Sequence, residues 1–398
     1  MNGISMWYNQ SKLNTKKDAP MNLNRALRVF WVSVLLLSVS SAAPAWKFAS
    51  IADSRFDTES SPVRIEPFTR ILNLIKSENV DLVIFQGDAV WGSTNDTSLA
   101  TQLDIWKQLV VSVLLQCPYY FSVGNHEIRG AGNEAVVRDK FEMPANGPSG
   151  YEELVYSFDH QNAHFVCLDS YKWGQFHHVQ RSWLNSDLAA NTKPHIFVFA
   201  HDPAYPKGPH INDSLNYYPL ERDDFWSILG TYNCRMYFCA HEHFYARDEV
   251  NGVTQVINGT CGAYRAWKDP YTTPPTPWPG TIPTYNYVIV SIDGNNVSCN
   301  ARNDYGVLLD SWSYSIGMSI AAALGKSDGA TVNLPNKMVT AVFGSFLYVQ
   351  DDNRSHGIRV NPSAMPAVIP GDRVDVSGVL GTSAGERAVT GSATKVTP

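Results

Sequence analysis

The chain has 398 residues, of which 17% are charged and 44% hydrophobic, which is typical of a soluble globular protein and excludes a disordered one. This length is sufficient for one large domain and a smaller one. Its 31 Lys and Arg residues are outnumbered by 37 Asp and Glu residues, so the charge does not favour a protein that binds nucleic-acid phosphates in bulk.

The first 45 residues predict a short extension followed by a cleavable secretory signal. An apolar run from Val29 to Ser40 follows two arginines, and the small residues Ala43 and Ala45 then supply a cleavage site. An uncleaved membrane anchor is the less favoured alternative, because a spanning helix needs about 20 apolar residues. We therefore expect export to the periplasm or the extracellular space after cleavage near Ala45, and no transmembrane segment in the mature protein.

Removal of this segment would leave a more acidic chain that keeps every cysteine. Residues 1–45 hold five Lys or Arg and one Asp, so the remainder has a net charge of −10. An even number of cysteines permits disulfides in an oxidising compartment, although six cysteines allow fifteen connectivities. Cys167 and Cys239 lie in strand-like runs and fit buried thiols equally well. The sequence contains no C-x-x-C pair, so a cysteine metal site is not expected.

Residues 46–300 begin with strand-like runs that alternate with amphipathic stretches. Strands are predicted at "WKFASIAD", "DLVIFQGD" and "YYFSVGNHE", and helices at "PFTRILNLIKSENV" and "LATQLDIWKQLVVSVL". Successive β-α-β units of this kind indicate an α/β fold with largely parallel central strands. Ligands of such folds bind at the carboxyl ends of the strands.

The later part of the chain is richer in strands. Two hairpins are predicted, at "YSFDHQNAHFVCLDS" and "YNYVIVSIDGNNVSCNA", with strands "HIFVFAHDP", "RMYFCAHEH" and "GVTQVINGT" between them. The proline-rich segment 266–285 is expected to be a surface loop, and 301–330 a linker. Residues 331–398 contain short alternating strands with Gly and Asp turns, which predicts a small β-barrel as a second domain.

Polar side chains follow five of the predicted strands. They are Asp53, Asp88, Asn125 with His126, His201, and His241 with His243. Each is a weak signal alone, but carboxylate and imidazole groups at one sheet edge make a site for hard or borderline cations. The last two histidines are two positions apart, so on an extended chain both point to one side. The pattern predicts a metal site.

The order, type and spacing of these blocks resemble the calcineurin-like metallophosphoesterase family, with the purple acid phosphatases as a near branch. Members carry Asp-x-His, Gly-Asp, Gly-Asn-His-Glu/Asp, His and Gly-His-x-His blocks, and the resemblance covers about residues 46–300. It implies an α/β fold built as a two-sheet α/β/β/α sandwich. The C-terminal segment resembles an OB-fold-like module through "FLYVQDD", "GIRV" and "GDRVDVSGVL".

The resemblance also implies a role for each residue of the blocks. Asp88 would bridge two metal ions, with Asp53 and His243 on one ion and Asn125, His201 and His241 on the other. His126 would protonate the leaving alkoxide or stabilise the phosphoryl oxygens. The expected cofactor is one or two divalent ions, or a dinuclear centre, of Fe, Mn, Zn or Ni.

Arg55 departs from the family pattern. It stands where the family usually has a histidine, and a guanidinium cannot bind a metal ion. Purple acid phosphatases replace that histidine by a tyrosine at the position held here by Trp91. We expect either that Arg55 grips substrate phosphate, as a catalytic and substrate-binding residue beside Asn125 and His126, or that it pairs with a nearby carboxylate and supports the loop.

The resemblance and the ligand pattern predict an exported, metal-dependent phosphoesterase that hydrolyses phosphomonoesters or phosphodiesters by attack of metal-activated water. Its partner would be a phosphate-ester small molecule or polymer. A nuclease or cyclic-nucleotide phosphodiesterase, and a non-catalytic protein that binds phosphorylated ligands, remain alternatives. Nucleic acid is weakly supported, because residues 331–398 hold six basic and five acidic residues and three aromatic ones, Phe343, Phe346 and Tyr348.

Overall fold

The computed structural model describes residues 45–266, 278–351 and 354–396. The predicted signal segment, apart from Ala45, lies outside these residues, as do residues 267–277 of the predicted proline-rich loop. Within the described ranges, the helices lack the combination of length and apolar character that crossing a membrane requires.

The first and larger part of the chain alternates strands with helices. Its strands are β1 (Trp46–Ile51), β2 (Arg55–Thr58), β3 (Ser61–Val63), β4 (Leu82–Gln86), β5 (Tyr119–Ser122), β6 (Tyr156–His160), β7 (Ala163–Cys167), β8 (Tyr171–Lys172), β9 (Gln175–Phe176), β10 (His195–Phe199), β11 (Met236–Cys239), β12 (Tyr245–Val250), β13 (Val253–Asn258), β14 (Thr281–Ile282), β15 (Asn286–Asp293), β16 (Asn296–Asn303) and β17 (Leu308–Ser315). Its helices are α1 (Ile65–Ser77), α2 (Asp96–Leu114), α3 (Asn133–Lys140), α4 (Arg181–Ala190) and α5 (Pro219–Thr231).

These strands form two main sheets. Among the described residues, six strands form the first sheet in the order β17-β16-β15-β1-β4-β5, and seven form the second in the order β14-β12-β13-β11-β10-β7-β6. Strands β1, β4 and β5 are parallel neighbours, as are β7, β10, β11 and β13. The predicted α/β fold with parallel central strands is confirmed, and the loops after these parallel strands are where a ligand site is expected.

Buried aromatic side chains join the two sheets. The ring of Phe48 in the first sheet lies 5.1 Å from the ring of Phe165 and 4.9 Å from that of Phe197, both in the second. The outer face of the first sheet packs on α1 and α2, and that of the second on α4 and α5. The layers are therefore helix, sheet, sheet and helix, as the resemblance implied.

The helices form where the apolar spacing predicts them. In α1 the buried residues Phe68, Ile71, Leu72 and Ile75 recur every three or four positions, which gives one apolar face. Helix α2 begins after Asn95, whose side chain accepts a hydrogen bond of 2.9 Å from the backbone N–H of Ser98.

Strand β17 lies inside the segment 301–330 that the sequence predicts as a linker. It pairs antiparallel with β16, so the first sheet extends to Ser315. Its side chains are half-buried or exposed, and Leu309, Trp312 and Tyr314 pack against the core cluster that contains Phe48 and Phe165. Trp312 and Tyr314 alternate with serines, so this part of the predicted linker carries a short strand pattern.

The rest of the described chain forms a small barrel. Helix α6 (Ile320–Leu324) precedes β18 (Thr331–Val342), β19 (Leu347–Gln350), β20 (Gly357–Pro362), β21 (Arg373–Ser383) and β22 (Glu386–Lys395). These five described strands close in the order β18-β19-β20-β22-β21 around a core of valine and leucine side chains, which confirms the predicted C-terminal β-barrel.

All six cysteines lie within the described residues and all are free thiols. Five of them are buried, among them Cys167 and Cys239, and the sixth, Cys117, is partly exposed. The sequence leaves open whether the cysteines form disulfides or are buried thiols, and in the structure Cys167 and Cys239 are buried thiols.

Candidate metal centre

The predicted ligands lie on the loops that follow β1, β4, β5, β10 and β11. Four of them have a positive backbone φ angle: 55° at Asp53, 57° at Asp88, 68° at His241 and 55° at His243. Residues other than glycine adopt this left-handed conformation at a cost, and such residues cluster at functional sites.

One group of ligand atoms belongs to Asp88, His201 and His241, and these atoms all lie within 4.8 Å of one another. The Nε2 atom of His201 is 3.5 Å from Oδ1 of Asp88 and 3.2 Å from Nδ1 of His241. The Nδ1 atom of His201 is 2.6 Å from the carbonyl oxygen of Gln86, which can only accept a hydrogen bond. This contact places the proton on Nδ1 and leaves the Nε2 lone pair facing the other two ligands.

A second group belongs to Asp53, Asp88 and His243, again within 4.8 Å. The Nε2 atom of His243 is 3.5 Å from Oδ1 of Asp53. The other carboxylate oxygen, Oδ2, accepts a hydrogen bond of 3.2 Å from the backbone N–H of His241. Asp88 belongs to both groups, which is the placement that a bridging ligand requires.

Two buried oxygen atoms support the assignment of a cation site. Oδ1 of Asn125 and Oδ1 of Asp53 have no hydrogen-bond partner among the described residues. A buried polar atom is normally hydrogen-bonded, so such atoms need an explanation. Together with the Asp88 carboxylate and three imidazoles, they match the donor set of a hard or borderline divalent cation.

The charge of Asp88 is well defined. Burial opposes its ionisation, but the neighbouring His126, His201 and Arg55 outweigh burial and hold the pKa of this carboxyl below its usual value. The side chain is 1% exposed and is therefore an anion in a buried site. A buried anion of this kind requires cations beside it.

Glu127 is a buried residue of the site that the sequence analysis did not single out. Its carboxylate accepts hydrogen bonds from the backbone N–H groups of Asp88 (2.9 Å), Ala89 (2.9 Å) and Gly124 (2.8 Å). Burial raises the pKa of Glu127 to about 8. The residue ties the loop after β4 to the loop after β5, and the only signal for it is its place at the end of the "GNHE" block.

Arg55 pairs with the shared carboxylate. Its Nε atom is 3.3 Å from Oδ2 of Asp88, and its side chain is 15% exposed. The guanidinium carbon also lies 5.7 Å from the centre of the Trp91 ring. Arg55 therefore contacts a carboxylate that is itself a candidate metal ligand, and its expected role in binding phosphate stays a prediction.

His126 lies between Asp88 and Trp91. Its Nδ1 atom is 2.5 Å from the carbonyl oxygen of Trp91 and 2.8 Å from Nη2 of Arg129, and its Nε2 atom is 3.8 Å from Oδ2 of Asp88. Burial, assisted by the nearby Arg55 and Arg129, lowers the pKa of His126 to about 3. The ring is therefore neutral near pH 7.

A cavity of about 440 Å³ opens beside this histidine. It is lined by Arg55, Asp57, Trp91, His126, Arg129 and Tyr264. Two guanidinium groups and two large aromatic rings suit an anion that carries an organic group. Arg129, whose guanidinium carbon is 4.7 Å from the centre of the Trp91 ring, is a second residue that the sequence analysis did not single out.

On the other side of the site, His210 and Asp213 approach His241. The ring centres of the two histidines are 3.6 Å apart, and Nδ1 of His210 is 3.1 Å from Oδ2 of Asp213. His177 contacts the same aspartate and Asp202, and although burial opposes it, these carboxylates raise the pKa of His177 to about 9. These residues are far apart in the sequence and have no regular spacing, so the sequence does not predict that they form one cluster.

Comparisons with known proteins agree with this geometry. Residues 51–245 match the model of the calcineurin-like phosphoesterase family. Purple acid phosphatase 23 of Arabidopsis thaliana is 26% identical over 167 residues, which are 40% of this chain and 35% of that protein. Tartrate-resistant acid phosphatase type 5 of Mus musculus is 23% identical over 268 residues, which are 58% of this chain and 77% of that protein. The chain spans 35% to 41% of the length of several plant relatives.

Solved structures show the same fold. Purple acid phosphatase PPD1 from yellow lupin (Lupinus luteus) seeds matches with a TM-score of 0.54 at 18% identity, over 69% of this chain and 54% of that chain. PhoD matches with a TM-score of 0.53 at 11% identity, over 69% of this chain and 70% of that chain. The domain that holds the candidate metal centre is therefore a calcineurin-like phosphoesterase domain, similar to that of purple acid phosphatases.

Proposed function

We propose that the protein is a metal-dependent phosphoesterase that hydrolyses phosphomonoesters or phosphodiesters. The observation that carries the proposal is the position of Asp88, which is shared by two groups of ligand atoms and lies beside a cavity with two guanidinium groups. A divalent ion held there would lower the pKa of a water molecule and neutralise phosphoryl oxygens. The related enzymes are phosphatases by name, which supports the same reaction class.

The ligands divide into the two groups described above. Asp88, His201 and His241, with Asn125 as a neutral oxygen donor, would hold one ion. Asp53, Asp88 and His243 form the second group. The mixture of nitrogen and oxygen donors suits Fe, Mn, Zn or Ni.

The cavity would bind the ester. Arg55 and Arg129 line it, and a guanidinium can bind two phosphoryl oxygens at once. In hydrolysis a water oxygen forms a bond to phosphorus, the ester P–O bond breaks, and the leaving alkoxide takes up a proton. His126 is our candidate for the proton donor, because the negative charge of a bound phosphate raises the pKa of a neighbouring imidazole.

A protein that binds phosphorylated ligands without hydrolysing them is the second candidate. One observation favours it: Arg55 contacts Oδ2 of Asp88, the carboxylate that both groups of ligand atoms share. A weakened metal site of this kind would still present two guanidinium groups to an anion.

Export is part of the proposal and rests on residues 21–45. If the predicted cleavage occurs, N-terminal sequencing of the protein recovered outside the cytoplasm finds Trp46 first. A mature chain that still carries the residues before Ala45 would contradict it.

The proposal does not extend to nucleic acid. Phe343 and Phe346 stack on each other with ring centres 4.6 Å apart, and Arg359 covers Phe346 at 3.8 Å while it pairs with Glu386. Phe343 is 48% exposed, but Phe346 and Tyr348 are half-buried, so these rings do not form an open platform for successive bases. A structural or docking role for the barrel fits these contacts better.

The reaction is tested with p-nitrophenyl phosphate and its bis-ester, after treatment with a chelator and again after addition of Mn²⁺. We expect hydrolysis that depends on the metal, and its loss in Asp88→Asn. Asp139→Asn, a change of the same kind at an exposed position, is the control and should keep the activity. If the wild-type protein binds metal and phosphate but hydrolyses neither ester, the second candidate is correct instead.

A further inference from the structure

We infer that the Arg55 guanidinium takes the place of one of the two cations, so that the centre binds a single divalent ion per chain, at Asp88, His201 and His241. The inference rests on the metal centre of the proposed function, but not on turnover of a substrate. It changes the expected composition of the site from two ions to one ion and one fixed guanidinium.

The two oxygens of Asp88 already have different partners. Oδ1 faces Nε2 of His201 at 3.5 Å and accepts a hydrogen bond of 3.0 Å from the backbone N–H of His126. Oδ2 faces Nε of Arg55 at 3.3 Å. A carboxylate that bridges two ions through both of its oxygens needs each oxygen for one ion, and one of these oxygens is here in contact with a permanent cation.

Arg55 is held in this position from two directions. Its backbone N–H donates a hydrogen bond of 3.1 Å to the backbone carbonyl of Asp88, so main chain and side chain contact the same residue. Its side chain is 15% exposed, and among the described residues its buried Nε atom has no hydrogen-bond partner besides the contact with Asp88. The guanidinium is therefore part of the site and not a mobile surface group.

The neighbouring residue on that side also fails to ligate. Trp91 places an indole ring 5.7 Å from the Arg55 guanidinium carbon, and an indole N–H is only a donor. The second group therefore offers Asp53, His243 and an oxygen of Asp88 that is already paired. This group has three donors, and one of them also contacts a cation. It should therefore bind a metal ion more weakly than the group around His201.

Charge leads to the same conclusion. The two groups contain two carboxylates, Asp53 and Asp88. Two divalent ions together with Arg55 would bring five positive charges against these two negative ones, whereas one ion brings three. Repulsion between cations is strong in a buried site, because the surrounding protein screens charges less than water does.

The replacement also affects how a phosphate would bind. Arg55 lines the cavity as well as contacting Asp88, so its positive charge lies where the second ion would meet phosphoryl oxygens. A guanidinium can bind these oxygens but is not deprotonated in proteins and does not activate water. Arg55 would thus help to bind the phosphate, and the single ion would activate the water molecule.

The test is a metal count that does not depend on activity. Wild-type protein, Arg55→His and Arg129→His are saturated with Mn²⁺, desalted and analysed by element-resolved mass spectrometry and electron paramagnetic resonance. We expect one ion per chain and an uncoupled Mn²⁺ signal in the wild type. Arg55→His supplies the missing imidazole and should bind two ions with a coupled signal. Arg129→His, the same change at the other arginine of the cavity, should still bind one.

Arg55→Gln serves as a second variant if Arg55→His does not fold; it removes the charge without adding a ligand and should bind a second ion more weakly than the first. Two tightly bound ions in the wild type would overturn the inference, as would a single ion in every folded Arg55 variant.

The outcome is separable from the proposed function. One ion without hydrolysis leaves the inference standing and removes the phosphoesterase, and two ions with hydrolysis do the reverse.

Discussion

The Nε atom of Arg55 lies 3.3 Å from Oδ2 of Asp88, the carboxylate that is shared by both candidate groups of metal ligands. An always-charged side chain thus contacts a residue that the family pattern assigns to bridging two ions. This contact separates the present site from a fully symmetric dinuclear centre and makes metal binding the property most worth measuring.

Gly124→Ala is expected to abolish metal binding. A Cβ atom at this position would overlap Oδ1 of Asp88 and lie 2.7 Å from its backbone nitrogen, so the carboxylate would have to move away from His201. Metal content measured after saturation and desalting should fall below one ion per ten chains. Gly230→Ala, where a Cβ atom meets nothing within 4 Å, is the control and should keep the wild-type content. Full metal binding by Gly124→Ala would mean that Asp88 is not a ligand.

Glu127→Ala is expected to lower the free energy of unfolding by about 1–3 kcal/mol, because the buried backbone N–H groups that now meet an oxygen would lose their acceptor. Both carboxylate oxygens accept backbone N–H groups: Oε2 from Asp88 and Gly124, and Oε1 from Ala89. Urea denaturation measures the change. Glu142→Ala, at an exposed position, should stay within about 0.5 kcal/mol of the wild type. An equally small effect at Glu127 would show that this carboxylate does not hold the two loops.

Asp169 should make stability depend on pH. Burial raises its pKa from the model-compound value of 3.8 to about 7, so the folded state holds the proton more tightly than the unfolded state does. Its contribution to the free energy of unfolding therefore falls as the pH rises from about 4 to about 7 and is constant above that range. In Asp169→Asn this contribution is absent, and the stability advantage of the variant over wild type should grow across the same range.

Urea denaturation of both proteins at several pH values measures this difference. Oδ2 of Asp169 has no hydrogen-bond partner among the described residues, so an amide there leaves the existing contact of Oδ1 with the backbone N–H of Tyr171 intact. A difference that is the same at pH 4 and pH 8 would contradict the raised pKa. Asp139→Asn controls for the loss of one surface charge.

Gly391→Ala is expected to destabilise the barrel by about 1–3 kcal/mol, the usual effect of overpacking. Gly391 pairs with Gly378 across β21 and β22, and a Cβ atom at Gly391 would overlap the backbone carbonyl of Ser377. Gly381 lies on β21, as Gly378 does, but a Cβ atom there would meet nothing within 4 Å. Gly381→Ala should therefore be tolerated. Thermal unfolding compares the two, and equal midpoints would show that the close approach of the strands is not required.

Much of the fold follows from periodicity in the sequence. Continuous apolar runs predicted the central strands, and the spacing of Phe68, Ile71 and Ile75 predicted α1, because these elements bury one face or both. Strand β17 was not predicted, although Trp312 and Tyr314 alternate with serines and pack against the core, because this alternation covers only a few residues. Long apolar runs are therefore predicted more readily than a short edge strand.

The candidate site divides in the same way. Asp53, Asp88, His201, His241 and His243 follow strands and converge in the structure as their positions suggested. The contacts of Arg55, Glu127 and Arg129 join residues that have no fixed spacing in the sequence. They depend on how the loops fold over one another. Such pairings leave no local pattern, so the structure was needed to find them.

The central claim is that side chains from separate loops surround at least one divalent ion, and a metal count on purified protein tests it most directly. Wild-type protein and a His201→Ala/His241→Ala double variant are saturated with Mn²⁺, desalted and analysed side by side, with the exposed His356→Ala as control. We expect at least 0.8 ions per chain, on the order of full occupancy of one site, in the wild type and the control, and almost none in the double variant. A wild-type protein that retains no ion, or a double variant that retains as much as the wild type, would contradict the account.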